Sequence, residues 1–140
     1  MKSWGFTVAE VLIVITIIIM LASAFLVGFN PKTQIDKARD SKRKADLELM
    51  RAKLEDYYND KGRYPAALAC GDDFSPYLTT VPCDPRGGDY LFQTTSGQEY
   101  QLYTKLDYSK DPAIVSVGCE SGCGPGLLYN YGVSSPNVGL

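Results

Sequence analysis

The stretch Gly5-Phe6-Thr7-Val8-Ala9-Glu10 opens a long apolar run that decides the fold of the N-terminal part of the chain. Residues 6–29 are 24 residues long, and Glu10 is the only charged residue among them. A helix of that length rises about 36 Å, which is enough to cross a hydrocarbon core of about 30 Å with some tilt. The run shows no amphipathic period, so it predicts a helix that lies in lipid or among similar apolar helices.

Glu10 is the exception in this run, because an ionised carboxylate in a bilayer costs several kcal/mol unless it meets a partner. Cleavage between Gly5 and Phe6 would give Phe6 an α-amino group, which is a cation at neutral pH. Glu10 lies one helical turn further on. The amine and the carboxylate can therefore neutralise each other within one helix, or between helices staggered by about a turn. Such pairing would offset the cost of placing the Glu10 carboxylate in lipid.

These residues resemble the N-terminal signal of type IV pilins and of the pseudopilins of type II secretion. That signal has a short basic leader ending in Gly, then Phe-Thr, a Glu four residues after the Phe, and an apolar helix; residues 1–5 match the leader. The resemblance implies a structural subunit that polymerises with copies of itself, either in a secretion pseudopilus or in a type IV or DNA-uptake pilus. It also implies an assembly role for Glu10 and processing at Gly5 and Phe6, by a prepilin peptidase that cuts after Gly5 and N-methylates Phe6. An assembly ATPase and a platform protein of the inner membrane are the further partners that it implies.

The apolar run also permits two interpretations outside this family. A conventional secretory signal could be cut at Ala22-Ser23-Ala24, giving a secreted binding module that begins at Phe25. The run is longer than the usual h-region of about 7–15 residues, however, and Glu10 lies where such a region is uncharged. An ordinary single-pass anchor, with Glu10 tolerated near the interface, is the second alternative, and it would hold the binding module at the membrane.

The composition argues against an enzyme. Histidine is absent, which removes the commonest general base and metal ligand, and no nucleophile motif or phosphate loop is present. We expect no cofactor and no metal, and a net charge of −2 gives no indication of nucleic acid. Residues 30–65 carry ten Lys and Arg against seven Asp and Glu, whereas residues 66–140 carry three against eight. This gradient suits head-to-tail stacking of subunits, although two solvated faces are its commoner cause.

Four cysteines follow the predicted membrane helix: Cys70, Cys83, Cys119 and Cys123. An even number confined to the soluble part favours disulfides in an oxidising, extracytoplasmic compartment. Three connectivities are possible. Local pairing is preferred because each local pair brackets one loop rich in Gly or Pro, and a four-thiolate zinc site is the competing interpretation.

The segment 30–64 predicts a helical continuation after Asn30-Pro31, where the proline can bend or interrupt the helix. Two neighbouring apolar stripes together predict a face that packs on a domain; the first consists of Ala38, Ala45, Leu49 and Ala52, and the second of Leu47, Met50, Leu54 and Tyr57. The run Ser41-Lys42-Arg43-Lys44 is interpreted as a solvated helix face, because Asp residues are interleaved with it.

The orientation signals conflict. Six Lys and Arg lie between residues 32 and 44, against Lys2 alone before the span, so the positive-inside rule places the following domain in the cytoplasm. The cysteines and the pilin-type leader indicate the opposite side, and two independent signals favour an extracytoplasmic head on a single-pass protein of the cytoplasmic (inner) membrane.

The remainder of the chain predicts a small sheet. Residues 89–95 and 99–106 alternate apolar and polar residues around Ser96-Gly97-Gln98, which is a hairpin signal. Segments 113–117 and 127–131 are candidates for further strands. The whole is expected to be an α+β protein: leader 1–5, assembly helix 6–29, amphipathic helix 30–64 and disulfide-containing head 65–140. The helix end at 57–65 and the turn Pro82-Cys83-Asp84-Pro85-Arg86-Gly87-Gly88 also resemble those of the major pseudopilins.

Overall fold

The computed structural model of the protein describes residues 5–28 and 30–140. It has the predicted α+β, pilin-like arrangement, with two long helices followed by a small antiparallel sheet. The elements are α1 (Val8–Gly28), α2 (Pro31–Lys61), β1 (Leu91–Thr95), β2 (Glu99–Thr104), α3 (Pro112–Ser116), a 3₁₀ turn (Pro125–Leu127) and β3 (Tyr131–Ser134). The chain divides into two units, Met1–Ile35 and Asp36–Leu140, and each is described separately below.

Helix α1 has 21 residues, which corresponds to a length of about 31 Å and matches the hydrocarbon thickness of a bilayer. The segment Val8–Phe25 is long and apolar enough to cross a membrane, and none of it is buried within the protein. Leaving so many apolar side chains uncovered is unfavourable in water. We therefore treat α1 as the membrane-spanning helix of the described chain.

Helix α2 begins directly after the predicted interruption. Pro31 occupies its first turn, where a backbone amide would have no acceptor within the helix, so the missing donor costs nothing. The side chain of Asn30 caps the helix by accepting a hydrogen bond from the Thr33 amide at 3.4 Å. The sequence predicted a helix that continues past a bend or interruption, whereas the structure has two helices, each with its own start. Phe29, between them, lies outside the described residues.

Only one of the two predicted apolar stripes of α2 packs against the head. Leu47, Met50 and Leu54 are buried in the core, as expected. The stripe formed by Ala38, Ala45, Leu49 and Ala52 is exposed, so its assignment to the packed face was wrong. A single sheet covers only part of the circumference of a helix, and the second stripe lies beyond that part.

The sheet has the order β1-β2-β3, with both neighbouring pairs antiparallel. The hairpin between β1 and β2 turns at the predicted place, and Ser96 and Gly97 have positive φ angles of 54° and 71°. Tyr100, Leu102 and Leu106 belong to the same buried cluster as the core residues of α2. Burial of this face holds the sheet against the helix.

Two strand predictions were wrong. Residues 113–117 are mostly in helix α3, because Asp111 accepts a hydrogen bond from the Ala113 amide at 2.9 Å and Pro112 occupies the first turn. The last strand is Tyr131–Ser134 rather than 127–131. Its position is set by pairing with β2, in which Thr104 faces Tyr131.

Two disulfides tie the loops of the head. Cys70 is joined to Cys83, with Cα atoms 4.8 Å apart, and Cys119 to Cys123, with Cα atoms 5.1 Å apart. By the chain-entropy relation, loops of these lengths contribute about 3 and about 2 kcal/mol to stability. Cys119 and Cys123 are buried beside Tyr103, so the second disulfide supports the outer face of the sheet.

Candidate functional site

The N-terminal motif forms a capping box at the start of α1. The carboxylate of Glu10 accepts hydrogen bonds from the backbone amide and the hydroxyl group of Thr7, both at 2.8 Å. The Glu10 amide in turn donates to the Thr7 hydroxyl oxygen at 3.2 Å. These bonds satisfy amide donors that every helix start leaves unpaired. Glu10 therefore has a local structural role beside its predicted assembly role, and the Thr-x-x-Glu spacing was a signal for it in the sequence.

Gly5 and Phe6, the predicted processing residues, precede this capping box. Phe6 is exposed, and a Cβ atom built on Gly5 would meet nothing within 4 Å. The described fold thus gives no packing reason for glycine at position 5. A requirement for glycine there would have to come from a molecule that acts on the chain, such as a peptidase.

A buried arginine forms the second notable site, which we call the Arg43 cluster: Arg43, Asp40, Asp84 and Asp107. Arg43 is only 3% exposed. Its Nε and Nη2 atoms donate to the two carboxylate oxygens of Asp84 at 2.6 and 3.0 Å, and Nη1 donates to Asp40 at 2.7 Å and to Asp107 at 2.8 Å. Bidentate, charge-assisted bonds of this kind are among the strongest in proteins. The interpretation of Arg43 as part of a solvated face was wrong.

The cluster links three parts of the head. Arg43 lies on α2, Asp84 lies in the turn 82–88, and Asp107 follows β2. Asp40 is fully buried and also accepts hydrogen bonds from the amides of Asp107 and Tyr108 at 2.9 and 2.8 Å. The sequence contained a signal for this site, because Arg43 lies four residues before Leu47 on the buried stripe of α2.

The charges of the cluster stabilise one another. Hydrogen bonding to Asp84 raises the pKa of Arg43 above its ordinary value, although burial acts in the opposite direction. Burial acts to raise the pKa of Asp84 and Asp107, but hydrogen bonds from Arg43 outweigh it, so both pKa values lie below the usual range. The pKa of Asp111 is lowered in the same way against its burial by Lys44, whose Nζ atom lies 2.7 Å from the carboxylate.

We expect these carboxylates to make the head sensitive to acid. Because their pKa values are lowered by folding, their stabilising contribution is complete above the pKa of an unfolded Asp, about 3.9, and is lost as the pH falls through the folded values. Urea unfolding of the full chain in detergent should therefore show a free energy of unfolding that falls as the pH is lowered below about 4. Asp84→Asn should show a shallower fall over that range, and an equal slope would contradict this assignment.

Buried tyrosines make the stability of the head sensitive to alkaline pH. Burial raises the pKa of Tyr64 to about 12, with the charge of Glu55 adding to the effect, and burial also raises the pKa of Tyr90 and Tyr100. A raised phenol pKa means that the neutral group is favoured in the folded protein. The corresponding stability is complete below the unfolded value of about 10 and is lost as the pH rises above it.

Three curated proteins similar to this chain carry the same name. Type II secretion system core protein G of Klebsiella michiganensis is 34% identical over 113 residues, covering 70% of this chain and 78% of that protein. Core protein G of Escherichia coli K12 is 31% identical over 125 residues, covering 79% of this chain and 83% of that protein. This chain belongs to the major pseudopilin family of type II secretion. No family model and no solved structure gives a significant match.

This pseudopilin thus contains two separate candidate sites. The Thr7 and Glu10 capping box starts the exposed apolar helix, and the Arg43 cluster holds the head together around α2. No group of His, Cys, Asp and Glu suited to a metal ion occurs among residues 5–28 and 30–140.

Proposed function

We propose that this chain is a structural subunit of a type II secretion pseudopilus, cut after Gly5, N-methylated at Phe6 and polymerised through α1. The core protein G relatives carry the proposal, because the identity extends over most of both chains. The apolar, uncovered α1 and the Glu10 carboxylate at its start support it. The subunit has a structural rather than a catalytic role, and a prepilin peptidase, an assembly ATPase and an inner-membrane platform protein act on it.

The physical basis of assembly is an exchange of lipid contacts for helix contacts. Lipid tails and apolar side chains are equally apolar, so helices can leave the bilayer for a helical bundle without a large hydrophobic cost. In such a bundle the Glu10 carboxylate needs a cation, and the Phe6 amine produced by cleavage provides one. Cleavage therefore prepares the subunit for assembly.

The head is proposed to lie on the extracytoplasmic side, despite the basic residues that follow α1. The pilin-type leader, which ends at Gly5 and is followed by Phe6 and Thr7, supports this orientation. The two disulfides also agree with an oxidising compartment.

Processing provides the direct test of the proposal. We expect mass spectrometry of the full chain, expressed with a prepilin peptidase, to identify N-methylated Phe6 as the first residue. Gly5→Val should leave the precursor uncut in the membrane, because the peptidase needs a small residue at the cut. Since no atom lies within 4 Å of a Cβ at Gly5, this substitution should leave the folded chain intact.

The matched control is Gly139→Val, at a second glycine whose Cβ would meet nothing within 4 Å. This variant should be cut normally. A mature protein that begins at Phe25 would contradict the proposal and favour the secreted binding module.

A further inference from the structure

Two adjacent leucines on the head are exposed far more than apolar residues in a domain usually are. Leu127 is 64% exposed and Leu128 67% exposed, and we call them the leucine pair. Neighbouring exposed leucines are unfavourable in water, and concentrated apolar surface commonly marks a contact site.

The loop that carries the leucine pair is held in one conformation. The Cys119–Cys123 disulfide closes its first part, and reciprocal backbone hydrogen bonds of 2.8 and 3.3 Å join Cys123 to Tyr129. Tyr129 stacks on Tyr103 of β2, with ring centroids 5.8 Å apart. A contact loop that is already ordered loses little conformational entropy when it binds.

The backbone of Leu127 indicates that the exposed side chain has a use. Its φ angle is +56°, a left-handed conformation that costs a non-glycine residue about 1 kcal/mol. Glycine would adopt this conformation without strain. Strain at an exposed apolar residue is an observation that points to function rather than to stability.

A cleft elsewhere on the same unit is suited to receive the leucine pair. It has a volume of about 410 Å³ and is lined by Tyr57, Arg63, Tyr64, Pro65, Ala66 and the hairpin turn at 96–97. We call it the hairpin cleft. The turn precedes the start of β2, whereas the leucine loop is attached at Tyr103, four residues along that strand and so about 14 Å from its first residue. The two surfaces therefore lie on different parts of the head.

The charges beside the two surfaces are complementary. Glu120 lies within the disulfide ring that supports the leucine loop, and Arg63 lines the hairpin cleft; both are exposed. Within the described part of the chain, neither forms an ion pair. They also belong to the acidic part 66–140 and the basic part 30–65 of the sequence. Opposite charges at these places favour approach of one surface to the other and fix its register.

We propose that the leucine pair of one subunit docks into the hairpin cleft of a second copy, with Glu120 facing Arg63. This inference rests on the proposed function, since it names the head contact of the assembled subunit. The contact joins two different surfaces of identical chains. Heterologous contacts of this kind build open filaments wherever the rotation between subunits does not close a ring, and a filament would then have a free leucine pair at one end and a free cleft at the other.

The test measures the assembled fraction of the full chain in cells that contain the assembly machinery. Leu127→Glu with Leu128→Glu should lower that fraction at least about tenfold, which corresponds to about 1.4 kcal/mol per contact. The control is Val115→Glu, which places one glutamate at another exposed apolar residue of the head, 60% exposed, and it should assemble like the wild type.

An exchange of the two charges identifies the occupant of the cleft. Glu120→Arg and Arg63→Glu should each reduce assembly several-fold, and the double exchange should restore it, because the pair is then reversed. Leu127→Gly should raise the unfolding midpoint of the detergent-solubilised chain while lowering assembly, a combination that a merely structural loop would not produce.

The possible failures are distinguishable. If the wild type assembles and the leucine variants assemble equally well, this inference is wrong and the proposed function stands. If the leucine variants fail but the charge exchange does not restore assembly, the hairpin cleft is not the occupied surface. Normal assembly with lost secretion would make a secreted protein the occupant instead of a second copy. If the processed wild type does not assemble at all, the proposed function itself is wrong.

Discussion

Glu10→Gln is expected to reduce filament assembly at least about tenfold, a loss that about 1.4 kcal/mol of contact energy suffices to cause. Glutamine keeps an oxygen that can accept the hydrogen bonds from Thr7, and a Gln at this position also forms a capping box. The variant therefore removes the charge while keeping the helix start. Cleavage and membrane levels should stay normal, because a neutral amide costs less to bury in lipid than an ion.

The physical reason is the pairing of Glu10 with the Phe6 amine of a neighbouring subunit. Helix α1 has no other charged residue in the segment Val8–Gly28, so this pair would be its only charged guide to the register between helices. The measurement is the quantity of filaments sheared from cells, compared with the amount of mature subunit in the membrane.

Thr7→Ala tests whether assembly requires the charge of Glu10 or the capping box. This variant loses the hydroxyl group that binds Glu10, at a cost of about 0.5–2 kcal/mol to the helix start, but it keeps the carboxylate. We expect Thr7→Ala to assemble and Glu10→Gln to fail. The reverse order would show that the capping box, and not charge pairing, is what assembly requires.

Arg43→Ala is expected to lower the free energy of unfolding by about 3–5 kcal/mol, the usual consequence of removing one partner from a buried ion pair. Asp40 would remain fully buried with two amide donors but without a cation. Asp84 and Asp107 would lose their strongest partner as well. Chemical denaturation of the full chain in detergent, followed by circular dichroism, measures the change.

Arg51→Ala is the matched control, because it removes the same residue type from the same helix. Arg51 is exposed, and its Nη1 atom lies 3.4 Å from the Glu48 Oε2 atom. Surface ion pairs of this kind contribute about 0–1 kcal/mol to the free energy of unfolding. Arg43→Lys should fall between the two, since an ammonium group cannot form the bidentate contact with Asp84. If Arg43→Ala and Arg51→Ala had equal effects, the cluster would contribute little to the stability of the head.

Much of the fold could be predicted because it depends on short-range patterns. The apolar run indicated a long apolar helix, and Ser96-Gly97 indicated a tight turn. Pro31 indicated a bend or interruption of the helix, and the structure has a new helix start there. In each case the physical cause lies within a few residues of the feature. The stripe of Leu47, Met50 and Leu54 was likewise visible from its spacing.

One strand prediction was wrong because the local sequence pattern is compatible with both a strand and a helix. Ile114, Val115 and Val117 are β-branched and indicate a strand, but the preceding Asp111-Pro112 is a helix start. The ion pair from Lys44 to Asp111, 67 residues apart in the chain, anchors that start to α2. A contact between residues so far apart in the chain cannot be predicted from a local sequence pattern.

The sequence by itself determined the membrane helix, the position of Glu10 within it, the α+β class and the hairpin, because hydropathy, spacing and turn chemistry act along the chain. Only the tertiary structure decided that Arg43 is buried and that the leucine pair is exposed. Burial depends on what other parts of the chain cover. Arg43 lies under Asp84 and Asp107, which are 41 and 64 residues away, whereas the disulfide loop turns Leu127 outward.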